Sequence, residues 1–229
     1  MLETKDIFQK HIKRKIWIHS WILALVIYIG LLGLTYWLDK SFNFLTISKA
    51  LAGTSALLLG ISFSLSGFCY WWDFLDTKIG YRKQIGLAAY WLALAYSLSL
   101  LLVDQNKYLF HFFDNLFSAD ILLGTISMAI FTFLAIISTD KMMLRLGPKI
   151  WRQMLRLGYL AWLLLALRAY FIEKTVWLEY LNSPEGFPPP RLLLTVFVIV
   201  VIIFRLSVDL SKKCVPFTNK KINPQKNER

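Results

Sequence analysis

Six long apolar stretches constrain the fold of this chain more than any other feature of its sequence. Each stretch can cross a hydrocarbon layer of about 30 Å at about 1.5 Å per helical residue, the fifth only together with its flanks. The runs are continuous and lack the alternation that marks the strands of a membrane β-barrel. They cover residues 16–38, 45–72, 85–103, 121–139, 157–172 and 192–208. The sequence therefore predicts an all-α integral membrane bundle of six transmembrane helices.

The composition agrees with lipid as the solvent for most of the chain. Hydrophobic residues make up 57% of the sequence, whereas soluble domains contain about 45–50% on a count that also includes glycine. A single globular core of this size cannot bury that excess, so we expect much of it to face the bilayer.

The distribution of lysine and arginine predicts the orientation of the bundle. Nineteen of the 26 basic residues lie before the first span, in the second and fourth connections, or in the tail. Only five lie in or beside the other connections, namely Lys40, Lys49, Lys107, Lys174 and Arg191. Because short cytoplasmic loops are enriched in basic residues, both termini are predicted to be cytoplasmic, in the plasma membrane (the inner membrane of a bacterium). The net charge of +12 thus reports topology, and we expect no nucleic-acid partner.

Three segments follow from this pattern. Residues 1–15 are a basic cytoplasmic N-terminal segment, residues 16–210 the six-helix domain, and residues 211–229 a basic cytoplasmic tail that we expect to be disordered. The first run resembles a signal peptide, but its length and the absence of a small-residue cleavage site predict an uncleaved helix. The proline-rich connection 182–190 is predicted to be non-helical, and residues 176–181 before it to lie along the outer interface.

Few residues within the spans could carry chemistry. Arg168 is the clearest candidate, because an ionisable side chain inside a membrane span is costly. Two interpretations stay open: it reaches the outer headgroups or pairs with an outer carboxylate, or it presents a fixed positive charge to an anionic ligand or cofactor. Ser62, Ser64 and Ser66 point in several directions on a helix, so we expect them to permit close helix contacts and interhelical hydrogen bonds.

The histidines and cysteines predict no metal or haem site. A bis-histidine haem needs two imidazoles on facing helices at one depth. Of His11, His19 and His111, the second falls near the cytoplasmic interface and the third in an outer loop, so these two cannot meet. Cys69 and Cys214 lie near the cytoplasmic side, where thiols stay reduced, and we expect them to act as small apolar fillers.

Three short segments carry a resemblance to a known family. Residues 82–90 (RKQIGLAAY) are similar to the basic pair and Leu-Gly-Leu that lead into the family's third helix. Residues 138–140 (STD) match the end of its fourth helix. Residues 146–160 (LGPKIWRQMLRLGYL) are similar to its Leu-Gly-x-x-Trp-x-x-Leu-His-x-x-x-Tyr-Leu, with one extra residue before the Trp. The chain thus resembles the ferric-reductase-like transmembrane domain family, and within it the haem-binding membrane subunit of the bacterial methionine sulfoxide reductase system.

The resemblance implies an electron-transferring bundle with haem bound by histidines. The corresponding positions here hold Tyr96, Leu155 and Arg168, and leucine cannot ligate iron. We therefore predict a haem-free membrane scaffold or partner-binding subunit with no catalytic residue, whose partner is another membrane or extracytoplasmic protein.

An alternative stays open, in which the chain is a membrane oxidoreductase subunit that passes electrons to an extracytoplasmic partner. It would hold an atypical haem through Tyr96, with Arg168 favouring the ionised phenol, or a flavin at the basic fourth connection. The family's larger reductases carry a cytoplasmic flavin and nicotinamide domain, for which this sequence has no Gly-rich phosphate loop. A small transporter would need discontinuous helices or buried carboxylates near the midplane, which the pattern does not indicate.

Overall fold

The computed structural model describes residues 2–71, 79–184 and 186–214. Its helices are α1 (Leu2–Asp39), α2 (Phe44–Trp71), α3 (Ile79–Val103), α4 (Ala119–Ile137), α5 (Asp140–Leu155), α6 (Leu157–Asn182) and α7 (Pro190–Cys214), with a π-helical turn at Asn106–Phe110. All except α5 contain a segment long and apolar enough to cross a membrane. The predicted all-α bundle of six spans is therefore confirmed.

We distinguish the two ends of the bundle by the connections and helices that they contain. One end, which we call the Asp120 end, contains the connections 40–43, 104–118 and 183–189. The opposite end, the α5 end, contains the start of α3 and the helix α5. The candidate residues described below lie mainly at the Asp120 end.

The fourth connection is helical, which the sequence analysis did not predict. Helix α5 is interrupted at Gly147, whose φ of +75° suits glycine. Pro148 follows at once, where its fixed φ and missing N–H are tolerated in a new first helical turn. The Trp151 indole N–H donates to the Ile137 carbonyl at 3.2 Å and so fastens α5 to the end of α4.

Helix α6 is ten residues longer than the predicted fifth span. Residues 176–181 continue this helix beyond a non-helical backbone at Glu173 (φ −120°, ψ 17°), and their place along the outer interface stays a prediction. The connection that follows is non-helical where it is described, and it is one residue shorter at each end than predicted, because Asn182 ends α6 and Pro190 begins α7. The expected disordered tail lies outside the described residues from 215 onward, since residues 211–214 complete α7.

Small residues allow α2 to pack at the centre of the bundle. Gly60 approaches two neighbours so closely that a Cβ there would lie 2.7 Å from Phe197 Cζ and 3.0 Å from Trp162 Cη2. The Ser62 hydroxyl donates to the Arg82 carbonyl at 2.9 Å, an interhelical hydrogen bond of the predicted kind. Ser64 instead donates to the Gly60 carbonyl within its own helix.

Candidate functional site

Arg168 in α6 is paired with Asp120 in the first turn of α4. Its Nε donates to Asp120 Oδ1 at 2.7 Å, and the two side chains are only 12% and 15% exposed. Asp120 also suits its position, because a carboxylate is favoured at the positive end of a helix dipole. Of the interpretations that the sequence left open, pairing of Arg168 with a carboxylate is confirmed.

Two residues from the connection between α3 and α4 occupy the other oxygen of the same carboxylate. Lys107 Nζ lies 2.7 Å from Asp120 Oδ2, and the Tyr108 hydroxyl donates to that oxygen at 3.0 Å. The hydrogen bond to Asp120 raises the pKa of Lys107 above its ordinary value. Burial, reinforced by the Asp120 charge, raises the pKa of Tyr108. Lys107, Tyr108, Asp120 and Arg168 form what we call the Asp120 cluster, in which the carboxylate accepts from three donors.

Gly124 makes room for the guanidinium of Arg168. A Cβ at this glycine would lie 3.2 Å from both Cζ and Nε of Arg168 and 3.3 Å from Nη1. The arginine can therefore lie against the backbone of α4 one turn after Asp120. Without this space the guanidinium would have to move away from the carboxylate.

Sequence reasoning missed most of this cluster. No motif in the sequence marked Asp120, Lys107 or Tyr108. The sequence did contain one signal. Asp120 directly precedes one apolar span and Arg168 lies about one turn inside the end of another, and both ends are predicted to lie at the same membrane boundary. Their pairing still required knowing that α4 and α6 are neighbours, which the structure shows.

The structure brings Tyr96 and Arg168 to one cavity. This space of about 140 Å³ lies among α2, α3, α4, α6 and α7, and Gly124 and Trp162 also line it. Leu155 lines a different cavity, of about 320 Å³, together with Arg82, Lys83 and Trp151. The three positions that the resemblance assigns to haem ligands are thus divided between two cavities.

The histidines lie at opposite ends of the bundle. The ring of His19 packs near Tyr81 at the start of α3, whereas His111 lies beyond the far end of that helix. Within 2–71, 79–184 and 186–214, no group of three or more His, Cys, Asp or Glu side chains is placed to hold a metal ion.

The three positions that the resemblance assigns to haem ligands do not supply two axial ligands. Leu155 offers no donor atom, and the positive guanidinium of Arg168 is engaged by Asp120. Of the three positions, only Tyr96 carries a group that can bind iron.

The fold defines the class of protein, a multi-pass integral membrane protein whose spanning helices contact the lipid bilayer. A family model described as ferric reductase like transmembrane component matches residues 50–166, just over half of the chain. The chain belongs to this family, which confirms the broader part of the resemblance. The match includes Tyr96 and Leu155 and ends two residues before Arg168. No curated protein is significantly similar to the chain.

Proposed function

We propose that this chain is a haem-free member of the ferric-reductase-like family that serves as a membrane scaffold or partner-binding subunit. The observation that carries the proposal is the ion pair between Arg168 and Asp120 at 2.7 Å. Arg168, at a position that the resemblance to the methionine sulfoxide reductase subunit assigns to a haem-ligating histidine, here connects two helices. The electron-carrying site is thereby replaced by a structural contact.

The surface that the Asp120 cluster holds in place supports a partner-binding role. Lys107 and Tyr108 anchor the segment 104–118, which exposes Phe110, Phe113 and Phe117 at 68%, 83% and 86%. Large aromatic side chains are enriched in the centres of protein interfaces. With both termini cytoplasmic, as the basic residues predict, this surface faces an extracytoplasmic or membrane-bound partner.

One observation favours a second candidate, an electron-transfer subunit with an atypical haem. Tyr96 and Arg168 line the same cavity, as a tyrosinate ligand supported by a neighbouring cation would require. In that case Arg168 would have to stabilise the phenolate while it remains bound to Asp120. A flavin at the basic helix α5 has weaker support, because nothing there resembles a phosphate-binding loop.

An absorption spectrum decides between the two candidates. The full chain would be expressed with added haem, purified in detergent, and measured oxidised and after dithionite reduction. We expect a featureless visible region. A Soret band that shifts on reduction and disappears in Tyr96→Phe would overturn the haem-free proposal in favour of the second candidate.

Photo-crosslinking tests the partner-binding role separately. A crosslinking amino acid at Phe113 should give a discrete protein adduct in the native membrane, whereas the same group at Leu25, an exposed residue of α1, should give lipid adducts. Lipid adducts alone at both positions would contradict partner binding at this surface.

A further inference from the structure

A deep apolar cavity opens at the Asp120 end between α1, α2 and α7. Its volume is about 540 Å³, within the range of small-molecule sites. Aliphatic and aromatic side chains form its walls, including Leu31, Leu34, Leu45, Leu57, Leu194 and Phe197. A space of this size and lining suits a hydrocarbon chain.

Two ion pairs lie at the rim of this cavity. Lys49 Nζ is 2.8 Å from Asp39 Oδ2, and Arg191 Nη1 is 2.9 Å from Glu173 Oε1. All four side chains line the cavity and are partly exposed. The rim therefore offers two cations and two carboxylates above an apolar interior, and its formal charge is balanced.

The position of the rim along the chain matches the depth of lipid headgroups. Asp39 is the last residue of the first spanning segment, and Arg191 is the second residue of the last one. Charged side chains at the ends of spans lie where the hydrocarbon layer meets the headgroups. The cavity below them extends into the bundle as far as Tyr96.

We propose that this cavity binds one phospholipid whose zwitterionic headgroup carries a primary amine, as in phosphatidylethanolamine. Lys49 and Arg191 would bind the phosphate, because guanidinium and ammonium groups form charge-assisted hydrogen bonds to phosphate oxygens. Asp39 and Glu173 would accept hydrogen bonds from the ammonium group, which has three N–H donors. One acyl chain would lie among the leucines.

The charge balance selects this headgroup over an anionic one. An anionic lipid would satisfy the two cations but leave Asp39 and Glu173 beside an uncompensated negative charge. A choline headgroup has no N–H to donate to the carboxylates. Partly exposed ion pairs are weak in water, so each can open to accept the matching half of the headgroup.

Native mass spectrometry of the full chain in detergent tests this proposal. The probes are dioleoyl phosphatidylethanolamine, dioleoyl phosphatidylglycerol and chain-free glycerophosphoethanolamine. We expect retention of phosphatidylethanolamine at least about tenfold above phosphatidylglycerol, since a tenfold difference is the contribution of about one charged hydrogen bond. The chain-free compound should not be retained. Equal retention of the two lipids would overturn the proposal.

Three variants identify the cavity as the binding site. The double substitution Asp39→Asn with Glu173→Gln removes the acceptors for the ammonium group and should abolish the preference for phosphatidylethanolamine, while Lys174→Gln, at an exposed lysine next to Glu173, should keep it. Gly53→Leu keeps all four rim charges but fills the cavity, because a Cβ there already lies 3.0 Å from Leu31 Cδ1. Gly53→Leu should lower retention of every lipid. The proposal would be overturned if the double variant and Gly53→Leu both retained the lipids as the wild type does. None of these outcomes depends on whether haem is bound.

Discussion

Arg168 and Asp120 connect α6 to the first turn of α4 through an ion pair of 2.7 Å that is almost closed to solvent. Removing one member leaves the other charged, buried and without its main partner. The same carboxylate also holds the segment between α3 and α4 through Lys107 and Tyr108. The cluster therefore contributes to both helix packing and the position of the exposed phenylalanines.

Asp120→Asn should lower the free energy of unfolding by about 3 kcal/mol, because it leaves the Arg168 charge uncompensated. Reversible unfolding in mixed detergent micelles measures this difference. Asp114→Asn is the matched control, since Asp114 lies nearby in sequence but its side chain is 80% exposed. We expect the control to change stability by less than about 0.5 kcal/mol. Equal effects of the two substitutions would contradict the assigned role of Asp120.

Gly124→Ala should destabilise the protein by about 1–2 kcal/mol relative to Gly33→Ala, because the new Cβ displaces the Arg168 guanidinium. A Cβ added at Gly33 would have no neighbouring atom within 4 Å. Alanine at this position should therefore stabilise the helix by up to about 1 kcal/mol through its higher helix propensity. In an Asp120→Asn background the guanidinium is free to move, and the Gly124→Ala cost should shrink. An unchanged cost in the double variant would show that the glycine acts independently of the ion pair.

Stability should fall as the pH rises above the ordinary values of 10.5 for lysine and 10.0 for tyrosine. Folding raises the pKa of both Lys107 and Tyr108, so both prefer their protonated forms in the folded state. Their contribution is complete below the ordinary pKa values and is lost as the pH passes through the raised ones. The stability gap between wild type and Lys107→Gln with Tyr108→Phe should therefore stay constant up to the ordinary tyrosine value of 10.0 and narrow above it. A constant gap would be inconsistent with protonation-dependent contacts to Asp120.

Gly60→Ala should cost about 2–3 kcal/mol, because its Cβ would overlap the Phe197 ring where α2 packs against α7. Gly30→Ala, with no neighbouring atom within 4 Å, provides the control. Adding Phe197→Leu should recover part of the loss by removing the ring. Failure of this second substitution to restore stability would place the strain elsewhere.

Reporter fusions test the predicted orientation. Green fluorescent protein fused after Arg229 should fluoresce, and alkaline phosphatase at the same point should be inactive, because both termini are expected in the cytoplasm. Fusions within 183–189 should give the opposite result. Active phosphatase at the C-terminus would reverse the assigned orientation, and with it the side on which a partner binds.

The six spans could be predicted from the sequence because a long apolar run is a local property that decides where a segment is stable. Arg168 could be singled out for the same reason, since one cation among apolar residues is unusual wherever the helix packs. Helix α5 could not be predicted from the sequence, because its Gly147-Pro148 pair predicts a break in any helix. Only the φ of Gly147 in the structure shows how two helical segments join at that point.

The sequence by itself determined the class of fold and its six membrane segments. Only the tertiary structure decided that Asp120 meets Arg168 across 48 positions, that Tyr96 shares a cavity with Arg168 while Leu155 does not, and that two ion pairs frame one cavity. Such pairings depend on the rotation and neighbours of each helix. Those are set by where glycines and other small residues let the backbones approach, and that information is spread over distant parts of the chain.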